Sequence, residues 1–257
     1  MKIRPSLAIA FAVFVGYVFA WIGTARLIGG SDLEYGEAFK NLDDTRPLVY
    51  GLIAGASFGI IVTTAFGWWK EVLGERRTVT GWFKFIPLIM FVAIAATTDW
   101  GNFGDIDGSL LAWSAAAGIL VGFSEELTFR GLEVVNGRKA NMTEARVYLI
   151  STVLFGAIHV PNFVLGADIG PAIGQAFVAA TTGSLFYIAR RTTGTILVPM
   201  ILHGLWDFTL FAASDDFAFG NARIVVSLGL FVAFVATRKH FFGTAAEPEV
   251  DAEPATA

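Results

Sequence analysis

Eight apolar stretches, each close to the length that crosses a membrane as a helix, follow one another along this chain of 257 residues. About 20 consecutive apolar residues span the hydrocarbon core of a bilayer in helical form. The stretches are Leu7–Leu27, Pro47–Trp69, Trp82–Thr98, Ser109–Arg130, Val147–Leu165, Pro171–Ala189, Thr195–Ala213 and Ile224–Phe242. The sequence therefore predicts an all-α fold, a polytopic membrane helical bundle of about eight transmembrane helices.

The composition agrees with this interpretation and excludes several classes of protein. Hydrophobic residues make up 55% of the chain and charged residues 16%, which is unlike a soluble domain. There is no cysteine, which excludes disulfides, thiolate metal sites and a cysteine nucleophile. No basic patch is large enough to predict binding of nucleic acid.

The distribution of lysine and arginine predicts the orientation of the bundle. With eight spans, the larger group of basic residues falls on one side of the membrane, and a smaller group falls on the other. The larger group is Lys2, Arg4, Lys70, Arg76, Arg77, Lys84, Arg138, Lys139, Arg146, Arg190, Arg191, Arg238 and Lys239; the smaller is Arg26, Lys40, Arg46 and Arg223. By the positive-inside rule both termini are predicted to be cytoplasmic.

The fourth stretch ends in two adjacent carboxylates and an arginine, Glu125, Glu126 and Arg130. An ionisable residue at the centre of a bilayer costs about 2.5–3.5 kcal/mol on insertion scales, so such residues are rare and usually functional. Glu126 and Arg130 are i,i+4 neighbours on a helix, whereas Glu125 is turned about 100° away. We therefore expect Glu126 to pair with Arg130 and to support the site structurally, and Glu125 to be left for chemistry.

The fifth stretch carries a histidine inside the predicted span. Phe155 and His159 share a helix face one turn apart, and Asn162 follows three residues later, where it is expected to line the same cavity. Pro161 removes the backbone donor to the carbonyl of Ala157, which predicts a kink near His159.

The seventh stretch repeats this spacing, with His203 and Asp207 on one face. Taken alone, either motif is equally consistent with a histidine that only holds two helices together. Helix geometry places Glu125, His159 and His203 at compatible depths, which favours a shared polar site. Activation of a water molecule by a carboxylate or imidazole base fits these residues, and so does a divalent metal bound by histidine and carboxylate ligands. Neither the HExxH signature nor a Gly-x-Ser-x-Gly elbow is present.

In order and spacing, Glu125-Glu126-(three residues)-Arg130, Phe155-(three)-His159 and His203-(three)-Asp207 resemble the three motifs of the CPBP family. This is the family of CAAX-processing and bacteriocin-processing intramembrane proteases, also called ABI proteins. The resemblance covers about Ser109 to Phe211. It implies an endopeptidase that cleaves a membrane-associated, in some members prenylated, protein or peptide.

The resemblance also implies roles for the motif residues. Glu125 would be the catalytic base and would act with His159 on the attacking water, while His203 and Asp207 would polarise the scissile carbonyl. Glu126, Arg130, Phe155 and Asn162 would support the site. Two schemes stay open: a divalent metal such as zinc held by Glu125, His159, His203 and Asp207, or catalysis without a metal. The third motif ends in Asp207 where the eukaryotic prenyl-protein endopeptidases have Asn, so a CAAX substrate does not follow from the motifs.

These interpretations divide the chain into four parts: spans 1–3 in residues 1–108, a catalytic core in 109–213, the last span in 214–242, and an acidic tail in 243–257 that is predicted to be disordered. The expected partners are the lipid bilayer and a membrane-associated protein or peptide substrate, with no nucleic acid. The expected location is the plasma membrane, with the active site open toward the cytoplasm. Two alternatives are a proton- or cation-coupled transporter and a non-catalytic scaffold or immunity protein.

Overall fold

The computed structural model describes residues 4–30, 33–77, 79–214 and 222–244. Within these ranges the chain is helical and contains no β-strand, as predicted. The helices are α1 (Leu7–Gly29), α2 (Leu42–Phe66), α3 (Trp69–Leu73), α4 (Ile86–Ala96), α5 (Gly108–Lys139), α6 (Glu144–Ala157), α7 (Ile169–Thr193), α8 (Leu197–Phe211) and α9 (Ala222–Thr244). Helix α9 runs to Thr244, whereas residues 245–257 of the predicted tail lie outside the described part of the chain.

Each of the eight apolar stretches coincides with a helix. Among the described residues, six helices are long and apolar enough to cross a membrane, namely α1, α2, α5, α6 with the 3-10 helix that follows it, α7 and α9. The stretches at Gly81–Ala96 and Leu197–Phe211 form shorter apolar helices. Large apolar side chains such as Phe19, Ile119 and Phe177 point outward from the bundle and are more than two-thirds exposed, a surface that suits lipid.

Glycines decide which helices approach most closely. A Cβ atom at Gly118 of α5 would lie 2.7 Å from the carbonyl oxygen of Gly204 in α8, and one at Gly122 would lie 2.7 Å from the Gly204 nitrogen. The two backbones are therefore in direct contact, as small residues permit in membrane helices. Since Glu126 follows Gly122 by one turn and His203 precedes Gly204, this contact places the first and third motifs side by side.

The stripe of Gly51, Gly55 and Gly59 in α2 serves packing inside the bundle. Cβ atoms at these positions would collide with Trp21 and Tyr17 of α1 and would press on Leu127 of α5.

The interruption predicted near His159 is present and takes the form of a break in the α-helix. The α-helix ends at Ala157, and a 3-10 helix follows over Val160–Leu165. The cause is the one expected, since Pro161 has no N–H to donate to the carbonyl of Ala157. His159 thus lies in a turn between two helical segments rather than within a continuous span.

Several basic residues used to assign the orientation are not in solvent. Arg223 is fully buried, and its guanidinium donates to the Thr97 and Trp206 carbonyls at 2.6 and 3.0 Å and to the Thr209 hydroxyl at 2.7 Å. Arg190 and Arg191 are also fully buried. A basic residue next to an apolar stretch need not be a loop residue, because it can be desolvated against acceptors from other helices.

Candidate active site

Glu126 occupies the centre of a buried polar chain between α5 and α8. Its Oε1 atom accepts a hydrogen bond from Arg130 Nη1 at 2.9 Å and also lies 2.9 Å from His203 Nδ1. The Glu126 and Arg130 side chains are fully shielded from solvent. The predicted ion pair is therefore present, and it extends to the histidine of the third motif.

His203 lies between two carboxylates. Its Nε2 atom is 3.2 Å from Asp207 Oδ2, one turn further along α8, so each ring nitrogen faces a carboxylate oxygen. An ionised carboxylate only accepts hydrogen bonds, so both contacts are satisfied when the ring carries two protons. The ring also stacks on Phe186, with the centroids 4.6 Å apart. His203 is thus fixed in position and supplied with charge partners.

Phe155 packs against three other motif residues. The Arg130 guanidinium lies 3.8 Å from the centroid of its ring, a cation–π distance. The rings of His159 and His203 meet it edge-on, with centroid distances of 5.5 and 5.4 Å. Phe155 therefore sets the spacing between the two histidines.

His159 keeps one ring nitrogen available. Its Nδ1 lies 3.1 Å from the Phe155 carbonyl oxygen, which can only accept, so Nδ1 carries the proton and Nε2 of the neutral ring is an acceptor. This is the tautomer that a base or a water-orienting group requires. His159 also interacts electrostatically with Asp207 and His203 across the space between the helices.

Glu125 lacks the direct contacts that Glu126 makes. It is 2% exposed, and its Oε2 atom has no hydrogen-bond partner in the part of the chain that the structure describes. It interacts electrostatically with His203 and Asp207. A buried carboxylate without a direct partner is costly, and Glu125, unlike the similarly unpaired Glu133, interacts with two other motif residues. This makes Glu125 a candidate for chemistry rather than for support.

A π-helical segment begins directly after these carboxylates and spans Leu127–Leu132. Its i→i+5 hydrogen bonds widen the helix, and such segments occur frequently at functional sites. No sequence feature predicts this segment, since its residues continue the helical pattern.

Asn162, which is expected to line the same cavity as His159, has a partner on α7. It is fully buried, and its amide nitrogen donates to Gln175 Oε1 of α7 at 2.9 Å. Gln175 in turn donates to the hydroxyl of Tyr35 at 3.3 Å. Neither Gln175 nor Tyr35 was singled out from the sequence; an amide inside the otherwise apolar sixth stretch was the available signal.

The four residues predicted as ligands do not fit a metal ion in this arrangement. In the described ranges no three His, Asp or Glu side chains are grouped so that they could hold one. His203 would have to give up a carboxylate contact to become a ligand, because both of its ring nitrogens are engaged. No reaction step is therefore derived through a metal.

A second buried polar group, the Glu75 cluster, consists of Glu75, Arg138, Glu144, Arg190 and Arg191. It joins the segment after α3 to α5, α6 and α7. Arg138 contacts both carboxylates, and its Nη2 lies 2.6 Å from Glu144 Oε1. Arg190 and Arg191 lie 3.5 and 3.4 Å from Glu75. The cluster closes the end of the bundle that contains the α7–α8 connection.

The segment that carries all three motifs has known relatives. Residues 107–209 match the family model described as "Rce1-like: Type II CAAX prenyl endopeptidase Rce1-like". This segment is similar to those endopeptidases. The resemblance predicted from the motifs is thereby confirmed, and the similarity supports protease activity of the CAAX type. No curated protein and no solved structure gives a significant match.

The six apolar helices found in the described residues, together with the similarity of this segment to endopeptidases that act on membrane-associated substrates, indicate an integral membrane protein.

Proposed function

We propose that this chain is an intramembrane endopeptidase that hydrolyses a peptide bond of a membrane-associated protein or peptide with a water molecule activated by Glu125 and His159. The observation that supports this most directly is the contrast within the Glu-Glu pair. Glu126 is bound through one oxygen by Arg130 and His203, whereas Glu125 beside it is buried and makes no ion pair or hydrogen bond among the described residues, which leaves its carboxylate free. A base needs that free position to take a proton from water.

The reaction follows from these groups. Glu125 accepts a proton from water, while the Nε2 atom of His159 accepts a hydrogen bond from the other hydrogen of that water. The water oxygen then forms a bond with the scissile carbonyl carbon. The Nε2–H of His203 donates to the developing oxyanion in exchange for its contact with Asp207. Glu125 then returns its proton to the amide nitrogen as the C–N bond breaks. The products are a carboxylic acid and an amine, and the acid passes its proton to the amine to give a carboxylate and an ammonium group, so the enzyme is restored.

The remaining motif residues position this machinery. Arg130 neutralises Glu126, and Phe155 packs against Arg130 and both histidines. Asn162 fixes the His159 segment to α7 through Gln175. These residues act through their neighbours rather than on the substrate.

Glu125→Gln tests the assignment most directly. A fluorogenic peptide that ends in a CAAX sequence, with and without a prenyl group on its cysteine, is incubated with the purified protein in lipid nanodiscs. Loss of the base is expected to reduce cleavage by about 10²–10⁴-fold with no loss of thermal stability.

Glu133→Gln is the matched control, because Glu133 is a second buried carboxylate of α5 whose oxygens lack hydrogen-bond partners in the described structure. It is expected to cleave like the wild type. Cleavage at the wild-type rate by the Glu125 variant would refute the proposal.

A chelator separates the two schemes of water activation. Without a metal, cleavage is expected to be unchanged after treatment with 1,10-phenanthroline. A loss of cleavage that added zinc restores would show a metalloprotease and contradict the metal-free reaction.

We further propose eight membrane crossings with both termini in the cytoplasm, in the plasma membrane. The absence of native cysteine makes this easy to test with single cysteines at Thr143 and Asp105. A membrane-impermeant maleimide added to intact cells is expected to label position 105 and not position 143. The opposite pattern would invert the orientation. The opening of the site toward the cytoplasm stays a prediction.

A further inference from the structure

The connection between α1 and α2 packs against the site although no motif lies in it. This connection, residues 33–41, is called the Tyr35 loop. A Cβ atom at Gly166, at the end of the His159 segment, would lie 2.8 Å from the Leu33 carbonyl oxygen. Gly166 has φ +97°, so a glycine there permits both the turn and the close contact. The Tyr35 loop is therefore fixed to the segment that carries His159.

The loop is also fixed to the helix that carries His203. Phe39 stacks on Phe211 of α8, with ring centroids 3.8 Å apart and an angle of 7° between the planes. Phe211 lies one turn beyond Asp207. Phe39 has φ 68°, which is a strained left-handed conformation for a non-glycine residue. Such strain persists only where the surroundings enforce it, and it is concentrated at functional sites.

Short polar contacts make the loop rigid where it enters α2. Asn41 caps that helix by accepting from the Asp44 N–H at 2.9 Å, and the Phe39 N–H donates to the Thr45 hydroxyl at 2.9 Å. The Glu34 N–H donates to Asp44 at 2.9 Å. These contacts hold Tyr35 in place between Glu34 and Phe39.

A chain of two hydrogen bonds runs from Asn162 through Gln175 to the hydroxyl oxygen of Tyr35. Asn162 donates to Gln175, and Gln175 donates to the Tyr35 oxygen. No acceptor for the O–H of Tyr35 is found among the hydrogen bonds of the described residues. The Tyr35 oxygen thus accepts one hydrogen bond, and its O–H is available to donate a hydrogen bond to another group.

Tyr35 lies within electrostatic range of Asp207 and Glu125. Burial raises the pKa of the Tyr35 phenol to about 12, so the group keeps its proton throughout the neutral range. A neutral donor beside two carboxylates meets the requirement for stabilising negative charge that develops on a carbonyl oxygen.

We propose that Tyr35 is a further catalytic residue, which donates its hydroxyl proton as a hydrogen bond to the carbonyl oxygen of the scissile peptide while water adds to the carbonyl carbon. This rests on the proposed function. It gives the oxyanion a second donor next to His203, supplied by a part of the chain outside the segment that matches the family model. Gln175 and Asn162 are positioning residues for this hydroxyl.

Tyr35→Phe removes only the hydroxyl. With the fluorogenic CAAX peptide, kcat is expected to fall about 10²-fold, the effect of removing one oxyanion donor, while KM changes less than about twofold. Thermal stability is expected to match the wild type. Tyr50→Phe is the control, because the Tyr50 ring packs edge-on against Trp113 on the exposed side of α2 and is expected to leave kcat unchanged.

Gln175→Leu adds a graded test. This variant keeps the Tyr35 phenol but removes the hydrogen bond that Gln175 donates to it, and kcat is expected to fall by about tenfold. A Tyr35→Phe variant with the wild-type kcat would overturn the assignment, and so would a loss seen only in KM or in thermal stability. Cleavage that does not depend on Glu125 would instead refute the proposed function itself. The two failures are therefore distinguishable.

Discussion

Two buried polar regions stand out in this bundle, and they differ in how their charges are matched. In the Glu75 cluster each carboxylate contacts more than one arginine, and each arginine lies within 3.5 Å of a carboxylate. In the candidate active site Glu126 contacts both Arg130 and His203, whereas no ion pair or hydrogen bond of Glu125 is found in the described part of the chain. A charge that only holds helices together is stabilised by a partner, because an unpaired buried charge costs several kcal/mol. Glu125 is unpaired and interacts electrostatically with His203 and Asp207, so it is the carboxylate that we propose for chemistry.

The backbone around the two regions also differs. The Glu75 cluster adjoins a hydrogen-bonded connection, in which the Glu75 N–H donates to the Gly194 carbonyl at 3.0 Å and Arg77 Nε donates to the Thr193 carbonyl at 2.6 Å, and its left-handed residues, Asn141 and Gly194, follow helix ends. The candidate active site is flanked by a π-helical segment, a broken helix at His159 and a left-handed Phe39. Irregular backbone is tolerated at membrane depth where protein surrounds it.

The largest expected effect separates the two glutamates within the site. Glu126→Gln leaves Arg130 and His203 buried without their shared anion, and it is expected to lower the free energy of unfolding by about 3–5 kcal/mol. Glu125→Gln is expected to cause no such loss, because no ion pair is broken. Thermal unfolding of both variants in the same detergent measures the difference. If the two variants were equally stable, the distinction between a paired Glu126 and an unpaired Glu125 would be contradicted.

Acid titration sharpens the comparison at the Glu75 cluster. Burial raises the pKa of Glu75, but the nearby Arg190, Arg138 and Arg191 outweigh it and hold that pKa at about 2. A lowered folded-state pKa gives stability that is present above the unfolded value of about 4.3 and is lost as pH falls toward 2. The expected contribution is about 3 kcal/mol at neutral pH.

The measurement is thermal stability between pH 6 and pH 2.5 for the wild type and for Glu75→Gln. The variant is expected to be less stable at pH 6 and to lose less on acidification. Parallel curves for the two proteins would contradict this role of Glu75.

The smallest expected effect concerns the contact that brings the motifs together. Gly118→Ala places a methyl group against the α8 backbone and is expected to cost about 1–3 kcal/mol of stability, with a decrease in activity as His203 moves away from Glu126. Gly229→Ala in α9 is the control, since no atom lies within 4 Å of its Cβ position. The control is expected to be neutral or slightly stabilising, because alanine is favoured over glycine inside a helix. A loss of stability of the same size at both positions would show that the α5–α8 contact is not responsible.

The sequence was sufficient for features that depend on composition and local spacing. The apolar stretches located the helices, since about 20 apolar residues can satisfy their backbone in lipid only as a helix. The i,i+4 spacing predicted the Glu126–Arg130 pair and the contact between His203 and Asp207, because residues one turn apart share a helix face. Pro161 marked the interruption beside His159, although not its form.

Only the tertiary structure decided which of these groups meet. The bond from Glu126 to His203 joins residues 77 positions apart, and it depends on three glycines that bring two backbones into contact. The burial of Arg190, Arg191 and Arg223, and the reach of Tyr35 to Gln175, depend on packing between distant elements. Local spacing determines which side chains share one face of a helix. Which neighbouring helix that face contacts is determined by side-chain packing and polar contacts across the whole bundle.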